Sequence, residues 1–210
     1  MSVMQFPLTV VFQRDDGHRL TIAFDVEDIE DAKGAFDEFS YDLANNPEED
    51  RFMFPYVVNV KTEIPGIAAY LREVDDWYDA FEDVLTPLAD FSAGDKDVVY
   101  ASLDTYGVEY GVEMAKKAVK VDREELFACM QVFGRRDGLK IATDYSYNYL
   151  QGITSYEALG RLFVAENGFP ENADKYGGAD ENTFNYAKYA EDEAEDVYGG
   201  FATTGFVYKL

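Results

Sequence analysis

The sequence predicts an α+β protein of small serial α/β modules with a strongly acidic surface. Three observations predict it. Two short runs around Asp15-Asp16-Gly17 carry apolar residues at period two, several later segments space them by three and four, and strands alternate with helices in short groups. Although 42 Asp and Glu stand against 18 Lys and Arg, the chain has 16 Tyr, 16 Phe and 47% hydrophobic residues, too many for a disordered polyanion. Its 210 residues can hold one large domain or two to three small ones. The expected modules are residues 1–95, 96–143 and 144–210.

Residues 8–13 and 19–24 flank the Asp15-Asp16-Gly17 turn and read as a β-hairpin. A helix follows, because Ile29, Ala32, Phe36, Phe39 and Leu43 recur on one face while Glu27, Asp28, Glu30 and Asp31 crowd its first turn. Its apolar face should cover the hairpin. After Asn45-Asn46-Pro47, residues 52–60 read as a strand interrupted or edged at Pro55. Ile67, Leu71, Val74, Tyr78, Phe81 and Leu85 then form one helical stripe, which Pro87 should bend or end. Residues 97–103 read as a strand. Val108, Val112, Ala115 and Val119 mark a helix, and Asp122-Arg123-Glu124-Glu125 resembles a cap opening another. Strand-like sequence returns over 139–149. Thr154 and Glu157 fit a capping box for a helix through Asn167, with Gly168 placed to stop it. A last helix over 181–197 ends at Gly199-Gly200, and residues 201–208 supply a terminal β segment. No sequence repeat and no low-complexity linker is evident.

The formal net charge is -24, and charge of this size opposes compaction, so its field is a clue to the partner. Duplex DNA carries one negative charge per ~1.7 Å of axis, so 24 excess charges match roughly 41 Å, or about 12 base pairs. A partner that normally binds DNA is one reading, and a well-solvated surface is the other. Residues 1–113 hold 26 acids and 7 bases, residues 114–143 hold 4 and 7, and residues 144–210 hold 12 and 4. The first residues lack the pattern of a signal peptide, and no segment has the ~18 apolar residues of a membrane span. A cytoplasmic location is expected, and the field repels anionic membranes and bare nucleic acid.

Chemistry is sparse. The single histidine, His18, follows the hairpin turn, an exposed place for a triad member. Cys129, in an apolar run, is expected to be a buried inert thiol. There is no HExxH, CxxC or phosphate-binding glycine loop, and Asp15-Asp16-Gly17 lacks the spaced ligands of an EF-hand. No catalytic residue, metal or cofactor is assigned, and the chain is not expected to be an enzyme. Lys116, Lys117, Lys120, Arg123, Arg135, Arg136 and Lys140 are read as offsetting nearby acids or a subunit contact rather than binding nucleic acid. The acidic helical faces remain: Glu27, Asp28 and Asp31, then Glu73, Asp75, Asp76, Asp79, Glu82 and Asp83, and last Glu191, Asp192, Glu193, Glu195 and Asp196. Acids three or four apart on a helix rise about 4.5–6 Å along its axis, a rigid ribbon of carboxylates for a basic groove. The same acids also suit a solvated helix face, and the last block could hold a cation.

Residues 151–160 (Gln151-Gly152-Ile153-Thr154-Ser155-Tyr156-Glu157-Ala158-Leu159-Gly160), the helix ending at Gly168, and Phe184-Asn185-Tyr186-Ala187-Lys188-Tyr189-Ala190-Glu191-Asp192 together resemble the ArdA-type antirestriction proteins. The resemblance covers about residues 144–210 and loosely the passage Phe24 to Ile29. The chain departs from the family at Asn185, where Asp is usual, and at Glu191, where Arg is usual. The resemblance implies an elongated, three-domain homodimer that mimics bent B-form DNA and occupies the DNA-binding groove of type I restriction-modification enzymes, protecting mobile genetic elements. Competing readings are an acidic mimic aimed at a CRISPR nuclease, a repressor or a nucleoid protein, and a calcium- or carboxylate-dependent enzyme or lectin.

Overall fold

The computed structural model describes residues 4–25, 28–40 and 55–210. Helices and two antiparallel three-stranded sheets make it α+β, as expected. The chain divides into two compact units, Met1–Val119 and Lys120–Leu210. The expected boundary at 95/96 falls inside the first unit, and that at 143/144 falls inside a helix of the second.

In the first unit β1 (Leu8–Gln13) and β2 (Arg19–Phe24) pair from Leu8↔Phe24 to Gln13↔Arg19. The Asp16 carboxylate accepts the His18 N–H at 2.9 Å and so organises the turn. Alternation buries Leu8, Val10 and Phe12 of β1 with Ile22 and Phe24 of β2. Pro55 precedes β3 (Tyr56–Thr62), which joins the free side of β1 to give the order β2-β1-β3. Proline needs no ladder partner there. The register shifts between Val11 and Phe12, leaving Val58 as the extra residue of a bulge that interrupts an outer strand. Helix α1 (Ile29–Ser40) buries Ile29, Ala32 and Phe36. Leu43, Asn45-Asn46-Pro47 and the expected strand residues 52–54 lie outside the described residues.

The single helix expected through residue 85 is broken. Helix α2 (Ile67–Glu73) ends at extended Val74, and Asp76 caps a new start by accepting the Tyr78 N–H at 2.8 Å. From there α3 (Trp77–Asp79) runs through a π-helical segment, Ala80–Leu85, into α4 (Thr86–Ala89). The break resets the helical register, so Trp77 enters the core and Tyr78 stays half-buried. Phe12, Phe36, Trp77 and Phe81 meet there, with ring centroids 4.6 Å apart for Phe12–Trp77 and 5.0 Å for Phe12–Phe36. Burying each such side chain contributes roughly 1.5–3 kcal/mol. The helix ends two residues beyond Pro87, and the wide π turn directly before it eases the proline ring's conflict with the preceding turn.

Residues expected as a strand at 97–103 form α5 (Lys96–Tyr106) instead. A Ser92–Asp95 capping box precedes it, and Val98, Val99, Ser102 and Leu103 are buried at helical spacing against α6 (Val108–Ala118), so packing overrides the β preference of Val98-Val99-Tyr100.

This hairpin of helices is built twice. In the second unit α7 (Arg123–Phe133), Gly134 and α8 (Arg135–Asp144) repeat α5, Gly107 and α6. Asp95-Lys96-Asp97 matches Asp122-Arg123-Glu124, Val99-Tyr100-Ala101-Ser102-Leu103 matches Leu126-Phe127-Ala128-Cys129-Met130, and Tyr106-Gly107 matches Phe133-Gly134. Both linking glycines have φ near 80° (80° and 81°), a left-handed conformation that suits glycine. Four residues on, a Cβ on Gly111 would lie 2.7 Å from Leu103 Cα, and one on Gly138 would run into Met130 Cα. Lys96 lies over Tyr100 as Arg123 lies over Phe127, at 5.2 and 5.6 Å. Like-for-like replacements hid the repeat from inspection of the sequence. The same packing makes residues 139–144 helical rather than strand.

The second unit continues through β4 (Tyr147–Gln151), α9 (Tyr156–Asn167), α10 (Tyr186–Glu193), β5 (Gly199–Phe201) and β6 (Gly205–Lys209), with sheet order β4-β6-β5. Asp122 caps α7 as expected, accepting the Glu124 and Glu125 N–H groups at 2.9 and 3.2 Å. The α9 cap is Ser155, not Thr154: its hydroxyl accepts the Ala158 N–H at 3.2 Å, and Glu157 pairs with Arg161 at 3.0 Å instead of closing a capping box. Gly168 ends the helix as expected. Helix α10 is shorter than the expected 181–197 because Asn185 caps it, accepting the Lys188 N–H at 3.0 Å. Leu159, Ala190 and Phe206 form one core cluster, and Ala173, Tyr176, Phe184, Tyr186 and Tyr189 another.

Candidate functional site

The expected acids of the first unit sit on elements fixed by the aromatic core. Asp28 and Asp31 are exposed at the start of α1, and Glu27 lies outside the described residues. Glu73, Asp75, Asp76, Asp79, Glu82 and Asp83 are all exposed along α2, the break, α3 and the π-helical segment. Asp76 serves the Tyr78 cap, so its position is set by the backbone.

Tertiary contacts join these acids to others that the sequence did not single out. Tyr78 donates to Asp37 of α1 at 2.7 Å, and Lys33 of α1 lies 3.3 Å from Glu82. The Tyr70 phenol lies within electrostatic reach of Glu109 of α6 and of Asp83 and Asp79. Burial first, then these carboxylates, push the Tyr70 pKa up. Asp37, Asp79, Glu82, Asp83 and Glu109 therefore belong to one carboxylate-rich region drawn from α1, α3, the π-helical segment and α6. Nothing in local spacing signals Asp37 or Glu109, because packing between elements brings them in.

The C-terminal block divides. Asp192 lies 2.7 Å from both Lys175 and Lys188 and accepts from the Tyr176 hydroxyl at 3.2 Å. Lys175 above all, then Lys188, holds its carboxyl well below the usual range. Glu191 pairs with Lys188 at 3.3 Å. Glu193, Glu195 and Asp196 are exposed. Asp192 thus ties the turn Ala173–Tyr176 to α10 rather than facing outward.

Three residues of the basic cluster have partners within their own unit. Lys116 pairs with Glu113 at 2.6 Å, Arg123 lies over Phe127, and Lys140 and Lys209 lie 5.9 and 4.2 Å from the Tyr145 ring centre. His18 is exposed, its Nδ1 3.0 Å from Asp16. The His18 backbone N–H, reinforced by Arg14, lowers the Asp16 pKa to about 2. Cys129 is fully buried, and burial pushes its thiol up to about 11. Among the described residues no group of three or more His, Cys, Asp and Glu is gathered to hold a metal ion, and no helix is long and apolar enough to cross a membrane. No protein-family model, curated protein or solved structure matches the chain.

Proposed function

We propose that this chain is a non-enzymatic DNA mimic of the ArdA antirestriction type, occupying the DNA-binding groove of a type I restriction-modification enzyme. The observation that carries the reading is the carboxylate-rich region of the first unit, where Asp79, Glu82, Asp83, Asp37 and Glu109 are held by helices packed on one aromatic core. Fixed carboxylates meet a groove built for phosphates without ordering themselves first, so a larger share of the charge-assisted pairing becomes affinity. The sequence supports the same reading, with 26 acids against 9 bases in Met1–Val119 and 16 against 9 in Lys120–Leu210.

The proposal includes an elongated homodimer of serial modules with a strongly acidic surface, acting in the cytoplasm. Its test is cleavage of unmodified plasmid DNA by a type I enzyme with the protein titrated in, beside an equally acidic unrelated protein. Stoichiometric inhibition absent from the control, and weakening steeply with salt, is the expected result. No inhibition across several type I enzymes would transfer the proposal to another DNA-binding target.

A further inference from the structure

A groove of about 460 Å³ runs along the outer face of α7 in the second unit, between Phe127, Ala128 and Gln131 and the β5–β6 turn at Thr203 and Thr204. Its walls are preformed. Gln131 Oε1 accepts both the N–H and the hydroxyl of Thr203, at 3.0 and 3.1 Å, and the Thr204 carbonyl accepts from Gly152 N–H at 2.8 Å and the Tyr149 hydroxyl at 3.2 Å. The size falls in the range of ligand clefts, and its floor includes a large apolar side chain, Phe127, 37% exposed. Asp122 and Glu124 stand at its rim.

We propose that this groove binds an extended segment of a basic protein that presents one leucine-sized side chain flanked by lysines or arginines. The apolar side chain lies against Phe127 and Ala128. The flanking cations meet Asp122 and Glu124, which outnumber Arg123, the one base at the groove. The charge of the second unit, 16 acids against 9 bases, selects the same sign of partner. Arg123, itself at the groove, lies 5.6 Å from the Phe127 ring centre, so the ring that lines the groove already accommodates a cation beside it. The inference goes beyond mimicry of DNA, because it requires an apolar anchor that a phosphate groove does not supply.

The test follows backbone amide NMR shifts of the full chain on titration with three blocked pentapeptides: a central leucine between lysine pairs, a central serine between lysine pairs, and a central leucine between glutamate pairs. Saturable shifts at Phe127, Gln131, Thr203 and Thr204, about tenfold tighter for the leucine–lysine peptide than for either control, are expected. Phe127→Ala should weaken that binding about tenfold. Thr203→Arg, an exposed turn substitution that obstructs the groove with a cation while keeping the backbone bond to Gln131, should abolish the preference in a protein that still folds. Equal binding of the leucine and serine peptides, shifts confined to other surfaces, or an unaltered preference in Thr203→Arg would overturn the proposal.

Discussion

Asp192 shows how one carboxylate acquires a structural task. Two lysines and a tyrosine hydroxyl converge on it, so the folded chain favours its ionised form more than the unfolded chain does. Its contribution to stability is fully present above the ordinary carboxyl value of about 3.8 and is lost as pH falls through the depressed folded-state value. Asp192→Asn is therefore expected to lower the melting temperature at neutral pH, with the gap to the parent protein closing below about pH 3. A pH-independent gap in thermal melts would show that the ion pairs are not its source. Cys129 yields a second expectation. A thiol held near 11 and fully buried should resist thiol-modifying reagents in the native protein and react once the chain is unfolded in denaturant. The repeat adds to this, since Ser102 occupies the matching place and donates to the Val98 carbonyl at 2.9 Å. Cys129→Ser can make the same bond to Glu125, so its cost should be about 1 kcal/mol or less by denaturant unfolding.

Between elements, the duplicated hairpins rest on glycines at helix crossings. A methyl group on Gly138 meets Met130 Cα and the Cys129 carbonyl, both backbone atoms that cannot rotate away. Gly138→Ala should destabilise the chain by about 2 kcal/mol or more, and Gly111→Ala by a similar amount. Unfolding midpoints unchanged in both would remove close helix approach as the reason for those glycines. Elements with strong local signals were legible: the β1–β2 hairpin at its full length, α6 from its apolar spacing, and the Asp122 cap. The errors have local causes. Val98-Val99-Tyr100 resembles a strand until a capping box and a partner helix are supplied, and the stripe from Ile67 to Leu85 conceals a break at Asp76 because both halves keep apolar residues near the right spacing.

For the whole molecule, the acid excess predicts that the first unit's carboxylates act as a field rather than as a single contact. Replacing Asp75, Asp76, Asp79 and Asp83 together with Asn keeps the Asp76 cap, since Asn caps as well as Asp. The fold should therefore survive while inhibition of the target enzyme weakens about tenfold or more and becomes less dependent on salt, read from titrations at two ionic strengths. Unchanged inhibition would remove this region from the partner surface. The sequence by itself determined the α+β class, the hairpin, most helix positions and the size of the negative charge, because propensity, capping and composition act over a few neighbouring residues. Only the tertiary structure decided which acids share surroundings, joining Asp37 to Tyr78, setting Glu109 with Asp79 and Asp83 around Tyr70, and withdrawing Asp192 into a clamp of lysines. It also decided that residues 97–103 are helical. Those outcomes depend on which faces pack together, and burial energy acts between residues distant in the chain, where local spacing carries no information.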